Sequence, residues 1–178
     1  MSARRISIFA WSGLALGLVV ALGGCSRDSG GPPPEDAFLS LRTALTEQRW
    51  DIFYDVLDPF SQRAYDELIV QKDSELAATA RQEGPSAADA LLQPLSLSHG
   101  DWQKLDTRGR FAAIFGVSAQ AHFMNLGLNP DHLAAATVRS TDVQGDLATL
   151  VVDDGKGHRT KLIFRLIDGG WRFDPSES

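Results

Sequence analysis

The sequence predicts an α+β domain in which helices come first and an antiparallel sheet comes last. Apolar residues recur at helical spacing from Pro34 until about Ala136, and from there they alternate with polar residues. Glycine-containing turn signals at Gly145-Asp146 and Asp168-Gly169-Gly170 separate the alternating segments, as they do in hairpins. A change of period from helical to alternating along one chain is typical of the α+β class.

The first 25 residues have the pattern of an export signal. Arg4 and Arg5 precede a run from Ile6 to Gly24 that carries no charge, and Cys25, the one cysteine of the chain, follows it directly. A basic start, an apolar middle and small residues at the end favour export. Two alternatives stay open: the run is long enough to be kept as a membrane helix, and Cys25 could be a free thiol.

Leu22-Gly23-Gly24-Cys25 resembles the bacterial lipobox, in which Leu and two small residues precede Cys. The resemblance implies that residues 1–24 are a signal peptide removed before Cys25, whose thiol then carries diacylglycerol and whose amine can be acylated. Two or three acyl chains hold a protein stably on a membrane. By the enterobacterial sorting rule, Ser26 instead of Asp favours the outer over the inner membrane. The expected location is the periplasmic side of a bacterial cell envelope.

The rest of the chain reads as a tether and one domain. Residues 25–34 begin with small and polar residues and end in three prolines, a combination of flexible and stiff segments that holds a domain off a surface. Residues 35–178 have the length of a single domain. Without Arg4 and Arg5, the chain has 15 basic and 23 acidic residues, which gives a net charge of −8. An acidic domain without a basic cluster argues against a nucleic-acid partner.

Three helices are predicted before residue 84. Pro34 followed by two acidic residues is typical of a first helical turn. The stretch from Trp50 to Tyr54 predicts a break followed by a short helix, with Asp51 as its cap. Asp58-Pro59 predicts the start of a longer helix that runs to about Gln82, where a Gly-Pro pair ends it.

Residues 86–132 predict a helical insertion. Its strongest helix runs from about Arg108 to Leu126, with Gly127 as the expected C-terminal cap. Two Ser-x-x-Asp motifs resemble capping boxes: Ser86 with Asp89, and Ser98 with Asp101. Counted at 100° per residue, the apolar line of the strongest helix comprises Phe111, Ile114, Phe115, Ser118, His122 and Leu126.

Four strands are expected after residue 136. In the third, Leu162 and Phe164 share one face with Leu166, while Lys161 and Arg165 share the other, which predicts a sheet with one buried face. The predicted strands are 137–143, 147–152, 160–167 and 171–173.

Helices followed by a meander that closes on L-I-D-G-G-W-R-F-D, residues 166–174, resemble the NTF2-like superfamily. The short W-D-x-F-Y helix from Trp50 fits the same pattern. The resemblance covers about residues 35–82 and 136–175 and leaves 86–132 as an insertion. It implies a curved sheet wrapped around helices into a cone with a pocket. Many members are not enzymes, and no catalytic motif of the members that are enzymes can be placed on numbered positions here.

Tyr54 and His122 are the two candidates for lining a ligand pocket. His122 falls near the centre of its predicted apolar face, where it could act as a base or hydrogen-bond donor, or be a core histidine bonded to a backbone carbonyl. Tyr54 could line a cavity, or be a core aromatic with its polar tip at the surface.

No metal site and no cofactor is predicted. His99 and Asp101, together with His122 or His132, are too loosely spaced for a structural metal site, and Asp101 is better explained as a capping residue. Asp153-Asp154-Gly155 lacks the further acids of a calcium loop and is interpreted as a turn.

The favoured hypothesis is a membrane-anchored envelope lipoprotein of non-catalytic type that binds a small apolar ligand or an envelope protein. One alternative is an NTF2-like pocket enzyme, a hydrolase or isomerase with His122 as base. Another is a structural scaffold in an envelope complex. A closed pocket holding His122 and a carboxylate would favour the enzyme, whereas a filled core with exposed apolar residues on 86–132 would favour a protein partner.

Overall fold

The computed structural model describes residues 31–125 and 128–178, and its fold is α+β as predicted. Residues 1–30, which hold the predicted signal peptide, Cys25 and most of the predicted tether, lie outside the described residues, as does the predicted cap Gly127. Within the described ranges, no helix combines the length and the apolar character that crossing a membrane requires. The helices are α1 (Pro34–Glu47), α2 (Trp50–Val56), α3 (Pro59–Gln82), α4 (Pro85–Leu92), α5 (His99–Lys104), α6 (Thr107–Asn125) and α7 (Pro130–Ala135), with a 3-10 turn at Gln93–Leu95.

The helix starts are confirmed at α1 and α3 and differ in detail at α2. Asp58 caps α3, and its carboxylate accepts hydrogen bonds from the backbone N–H groups of Phe60 and Ser61. Asp51 was predicted as the cap of α2, which is wrong: the capping position is Arg49, and Asp51 lies inside the first turn. The Asp51 carboxylate instead accepts two hydrogen bonds from the Arg49 guanidinium, at 3.0 and 2.8 Å.

One of the two predicted capping boxes is present. The Ser98 hydroxyl accepts from the N–H of Asp101 and donates to its carboxylate at 2.7 Å, so α5 begins as expected. Ser86 does not cap, because α4 begins one residue earlier at Pro85 and its capping position is Gly84. The Asp89 carboxylate instead accepts from the N–H of His99 at 2.6 Å, which ties α4 to the start of α5.

The four strands form one open antiparallel sheet in the order β1-β2-β3-β4, so each strand pairs with its neighbour in sequence. They match the predicted strands to within a residue or two: β1 (Thr137–Gln144), β2 (Leu147–Asp153), β3 (Arg159–Ile167) and β4 (Gly170–Asp174). In β3 Leu162 and Phe164 are fully buried while Lys161 is exposed, which confirms the predicted buried face, although Leu166 of that face is half-buried and Ile163 of the other face is buried as well.

The sheet and the helices share one hydrophobic core. Helix α1 contacts β1, β2 and β4, and it buries Phe38 and Leu41 completely or nearly so. The end of α2 reaches the last strand, where the N–H of Asp58 donates to the carbonyl of Phe173 at 2.9 Å. Buried residues of the helical insertion, including Trp102 and Phe111, belong to the same cluster as those of the sheet.

A polar contact fixes the insertion on the long helix α3. The Asp73 carboxylate on α3 accepts from the indole N–H of Trp102 at 2.6 Å and from the Arg110 guanidinium at 2.8 Å. Trp102 lies on α5 and Arg110 on α6, so one carboxylate joins three helices.

Candidate functional site

Helix α6 is central to the helical half, and its buried stripe differs from the predicted one. The fully buried positions repeat every four residues, with Phe111 and Phe115 first and Ala119 and Phe123 one and two turns later. His122 was expected near the centre of the apolar face, which is wrong: it lies beside the buried stripe and is half-buried. The apolar line counted at 100° per residue passes through Ser118 and His122, whereas the buried row passes through Ala119 and Phe123.

The His122 ring packs against aromatic side chains. It stacks on Phe115, with centroids 5.1 Å apart and an interplanar angle of 9°, and it meets Tyr65 edge-on at 6.1 Å. Burial lowers the pKa of His122, so the neutral imidazole is favoured. These contacts describe a histidine that packs as an aromatic residue at the margin of the core.

Tyr54 packs beside Phe111, near the start of α6, and its hydroxyl is bound by a carboxylate. Its hydroxyl donates to Asp66 at 2.8 Å, and its ring lies 5.1 Å from that of Phe111. Burial, followed by the hydrogen bond to Asp66, raises the pKa of Tyr54 to about 12. Tyr54 contacts Phe111 and Asp66 whereas His122 contacts Phe115 and Tyr65, so the two candidates have different partners and are not paired with each other.

The structure instead forms an open groove along the edge of the buried stripe of α6, between that helix, the α1–α2 junction and α7. We call it the α6 groove, and its volume is about 420 Å³. Neither Tyr54 nor His122 lines it. Its lining residues are Leu45, Gln48, Trp50, Gly116, Ala119, Gln120, Phe123, Met124, Asn129, Pro130 and Asp131.

Trp50 packs tightly on α6 and contributes to the apolar part of the α6 groove, whose exposed lining is otherwise mostly polar. A side chain at Gly116 would place its Cβ 3.1 Å from the indole Cδ1 of Trp50, so glycine allows this close approach. The indole also lies 5.2 Å from the ring of Phe115, which fixes it from below. Beside the groove, Val117 and Met124 are 61% and 67% exposed. They are seven residues apart, which places them on one face of α6.

A second depression, of about 370 Å³, lies between the start of α3 and the end of the sheet, and charged side chains there pair with one another. Arg165 donates to Asp174 at 2.7 Å and to Glu177 at 2.8 Å. Burial alone would raise the pKa of Asp174, but hydrogen bonds from Ser176 and Arg165 outweigh it and lower that pKa. The pairing explains this depression as part of the packing between β3, β4 and the last residues.

A third feature is a cluster of metal-ligating side chains: His132 on α7, and Asp154 and His158 in the loop between β2 and β3. One ligand atom from each lies within 4.8 Å of the others. The imidazole rings of His132 and His158 stack at 3.9 Å with an interplanar angle of 16°. His158 Nδ1 lies 2.7 Å from a carboxylate oxygen of Asp154.

The loop conformation holds the Asp154 carboxylate in place. One carboxylate oxygen accepts from the backbone N–H groups of Lys156 and His158, at 2.8 and 3.1 Å. Gly155 and Gly157 adopt φ angles of +76° and +99°, which only glycine adopts without strain, and so let the chain turn back within this short loop. Burial would raise the pKa of Asp154, but the hydrogen bonds from His158 and the two backbone amides lower it to about 2.

Sequence reasoning missed both the groove and this cluster. His132 had been paired with His99 and Asp101, but Asp101 is occupied by Ser98 and by Lys104 at 2.9 Å. The interpretation of residues 153–155 as a turn is confirmed, since the carboxylate of Asp153 accepts from the N–H of Gly155. The sequence feature that could have indicated the cluster is His158, which lies four residues after Asp154 in a loop between two predicted strands.

Comparisons of the chain with protein-family models, with curated proteins and with solved structures found no match.

Proposed function

We propose that the chain is an exported lipoprotein, anchored in a bacterial envelope by lipid on Cys25, whose α+β domain binds a protein partner through the α6 groove. The anchor is supported by the Leu22-Gly23-Gly24-Cys25 motif after a basic and apolar run, and by the proline-containing segment that separates Cys25 from α1. The element order, helices and then a meander, supports an NTF2-like assignment as part of the same proposal.

The observation that carries the binding proposal is the pair of exposed apolar side chains on α6, Val117 and Met124, beside a groove of mixed polar and apolar lining. A pocket for a small ligand encloses most of the ligand surface. The α6 groove is open, and Val117 and Met124 place an apolar surface beside it on the outside of the helix. Exposed apolar patches with a polar rim are typical of protein interaction sites, and grooves of this kind receive apolar side chains of a partner. Gln48, Gln120 and Asn129 supply the rim.

The anchor is tested by metabolic labelling with palmitate. Cys25→Ser removes the only thiol in the chain, so labelling and membrane retention should both be lost. Ser26→Ala is the matched control, since it changes the neighbouring side chain and leaves the thiol in place. Labelling that persists in Cys25→Ser would contradict the anchor.

The groove is tested by photocrosslinking in living cells. A benzophenone side chain replaces Gln120, inside the α6 groove, or Val70, which is 63% exposed on α3 and outside it. We expect a protein adduct from position 120 and not from position 70, and mass spectrometry then identifies the partner.

Affinity for the identified partner separates specific docking from chance capture. Met124→Asp puts a negative charge at the edge of the α6 groove, and Val70→Asp introduces the same charge at a comparably exposed position outside it. Both positions are exposed, so neither change introduces a charge into the core. We expect Met124→Asp to weaken binding by about tenfold or more, and Val70→Asp to leave it unchanged. Equal affinities of the two variants would contradict the groove as the binding surface, and a lipid adduct at position 120 would favour a small apolar ligand.

A further inference from the structure

We infer that His132, Asp154 and His158 form a binding site for one divalent transition-metal ion, of which Zn²⁺ is the representative. Three donor side chains from segments more than twenty residues apart converge so that their ligand atoms lie within 4.8 Å of one another. Folding brings them together: α7 packs against β2, and the loop that follows β2 carries the other two donors.

The donor set decides the class of ion. Two imidazoles and one carboxylate offer two nitrogens and one oxygen, a set that suits zinc and neighbouring transition metals. Calcium and magnesium prefer oxygen ligands throughout, and the cluster supplies a single carboxylate. Three protein ligands leave a fourth position for water or another small ligand.

The site is partly preorganised. The side chain of Asp154 is 2% exposed, and one of its oxygens is fixed by two backbone N–H groups. The other oxygen lies against His158 Nδ1 at 2.7 Å, where a metal ion would take the place of the proton that the two atoms share. The stacked rings of His132 and His158, 3.9 Å apart, are close enough to bind one ion, but their nearly parallel planes require one ring to turn before both nitrogens can point at it.

Closing the ligands around an ion requires a small rearrangement. Metal–ligand bonds of about 2.0–2.2 Å place tetrahedral ligands about 3.4 Å apart, closer than the 4.8 Å limit of the cluster. The side chain of His158 is 54% exposed, so it can turn without disturbing the core. The bound ion would then join α7 to the β2–β3 loop. Pro130 and Asp131 of α7 also line the α6 groove, so the bound ion would hold this side of the groove in place as well. The metal site itself does not depend on the proposed function of the groove.

The test is calorimetric titration of the full chain with Zn²⁺ after removal of metals with a chelator. The protein carries Cys25→Ser, so that no thiol competes for zinc, and it is purified in detergent without a histidine tag. We expect one ion per chain with a Kd below about 100 µM, and no binding of Mg²⁺ under the same conditions. Zn²⁺ in excess should also raise the midpoint of thermal unfolding.

Variants assign the site to its residues. His132→Ala, Asp154→Asn and His158→Gln should each weaken Zn²⁺ binding by about tenfold or more. His99→Gln is the matched control outside the cluster and should bind as the parent does. If His132→Ala or Asp154→Asn fails to fold, His158→Gln, which changes an exposed side chain, tests the metal site by itself. Absence of saturable Zn²⁺ binding, or affinity in His158→Gln equal to that of the control, would overturn the inference.

Discussion

Replacing Phe115 by alanine is expected to lower the free energy of unfolding by about 4–5 kcal/mol. Phe115 is 1% exposed, and its ring lies 5.0 Å from Phe53 and 5.1 Å from Phe111. Truncation of a buried phenylalanine costs about 3–5 kcal/mol because it removes apolar burial and leaves a cavity. Each aromatic pair contributes about 0.5–1.5 kcal/mol in addition to the burial of apolar area, and these contributions are not additive. We therefore expect a loss in the upper part of the range of about 3–5 kcal/mol.

Equilibrium unfolding in urea measures this change, followed by far-ultraviolet circular dichroism and by tryptophan fluorescence. The control is Val117→Ala on the same helix, where the side chain is 61% exposed and the loss should stay within about 0.5 kcal/mol. The dependence of the free energy on urea should be the same in both variants if they unfold from the same compact state. A loss below about 1 kcal/mol in Phe115→Ala, with an unchanged urea dependence, would refute the aromatic core described here.

Three further predictions concern the sheet and the titrating groups. Trp171 is 5% exposed, so Trp171→Ala should cost about 3–5 kcal/mol in the same urea assay, and equal stability would show that the last strand is not packed as described. The folded state lowers the pKa of Asp174, so the stability that its carboxylate contributes is present above about pH 4 and lost as pH falls through the lowered pKa. The stability difference between the parent and Asp174→Asn should therefore shrink on acidification from pH 6 to about pH 2, and a difference that is constant with pH would contradict it. Tyr54 and Tyr65 both have raised pKa values, so absorbance at about 295 nm should show no phenolate step near pH 10 in the folded protein, whereas a full step there would contradict their burial.

Local signals made most of the fold predictable. The Asp58-Pro59 and Ser98-x-x-Asp101 starts depend on side chains that reach only two or three residues along the chain, and the alternation in β3 follows from the geometry of a strand. The cap at Asp51 failed for a related reason. The guanidinium of Arg49, two residues before Asp51, forms a bidentate pair with its carboxylate, and the helix begins two residues earlier than a cap at Asp51 requires.

The candidate sites were not predictable to the same degree, because they are made by contacts between distant segments. The position of His122 depended on which of two adjacent rows of α6 faces the core, and Trp50, from another helix, decides that by packing against Gly116. The meeting of His132 with His158 depends on α7 lying on β2, which no local pattern indicates. Spacing along the chain identifies a metal site only when its ligands are close in sequence.

The most direct measurement of the central claim is the intact mass of the full-length protein after it is exported and extracted from a bacterial envelope in detergent. We expect a chain that begins at Cys25 and carries the added mass of diacylglycerol, with or without a further acyl group on the amine. A chain that retains residues 1–24, or one that begins elsewhere and carries no lipid, would contradict it.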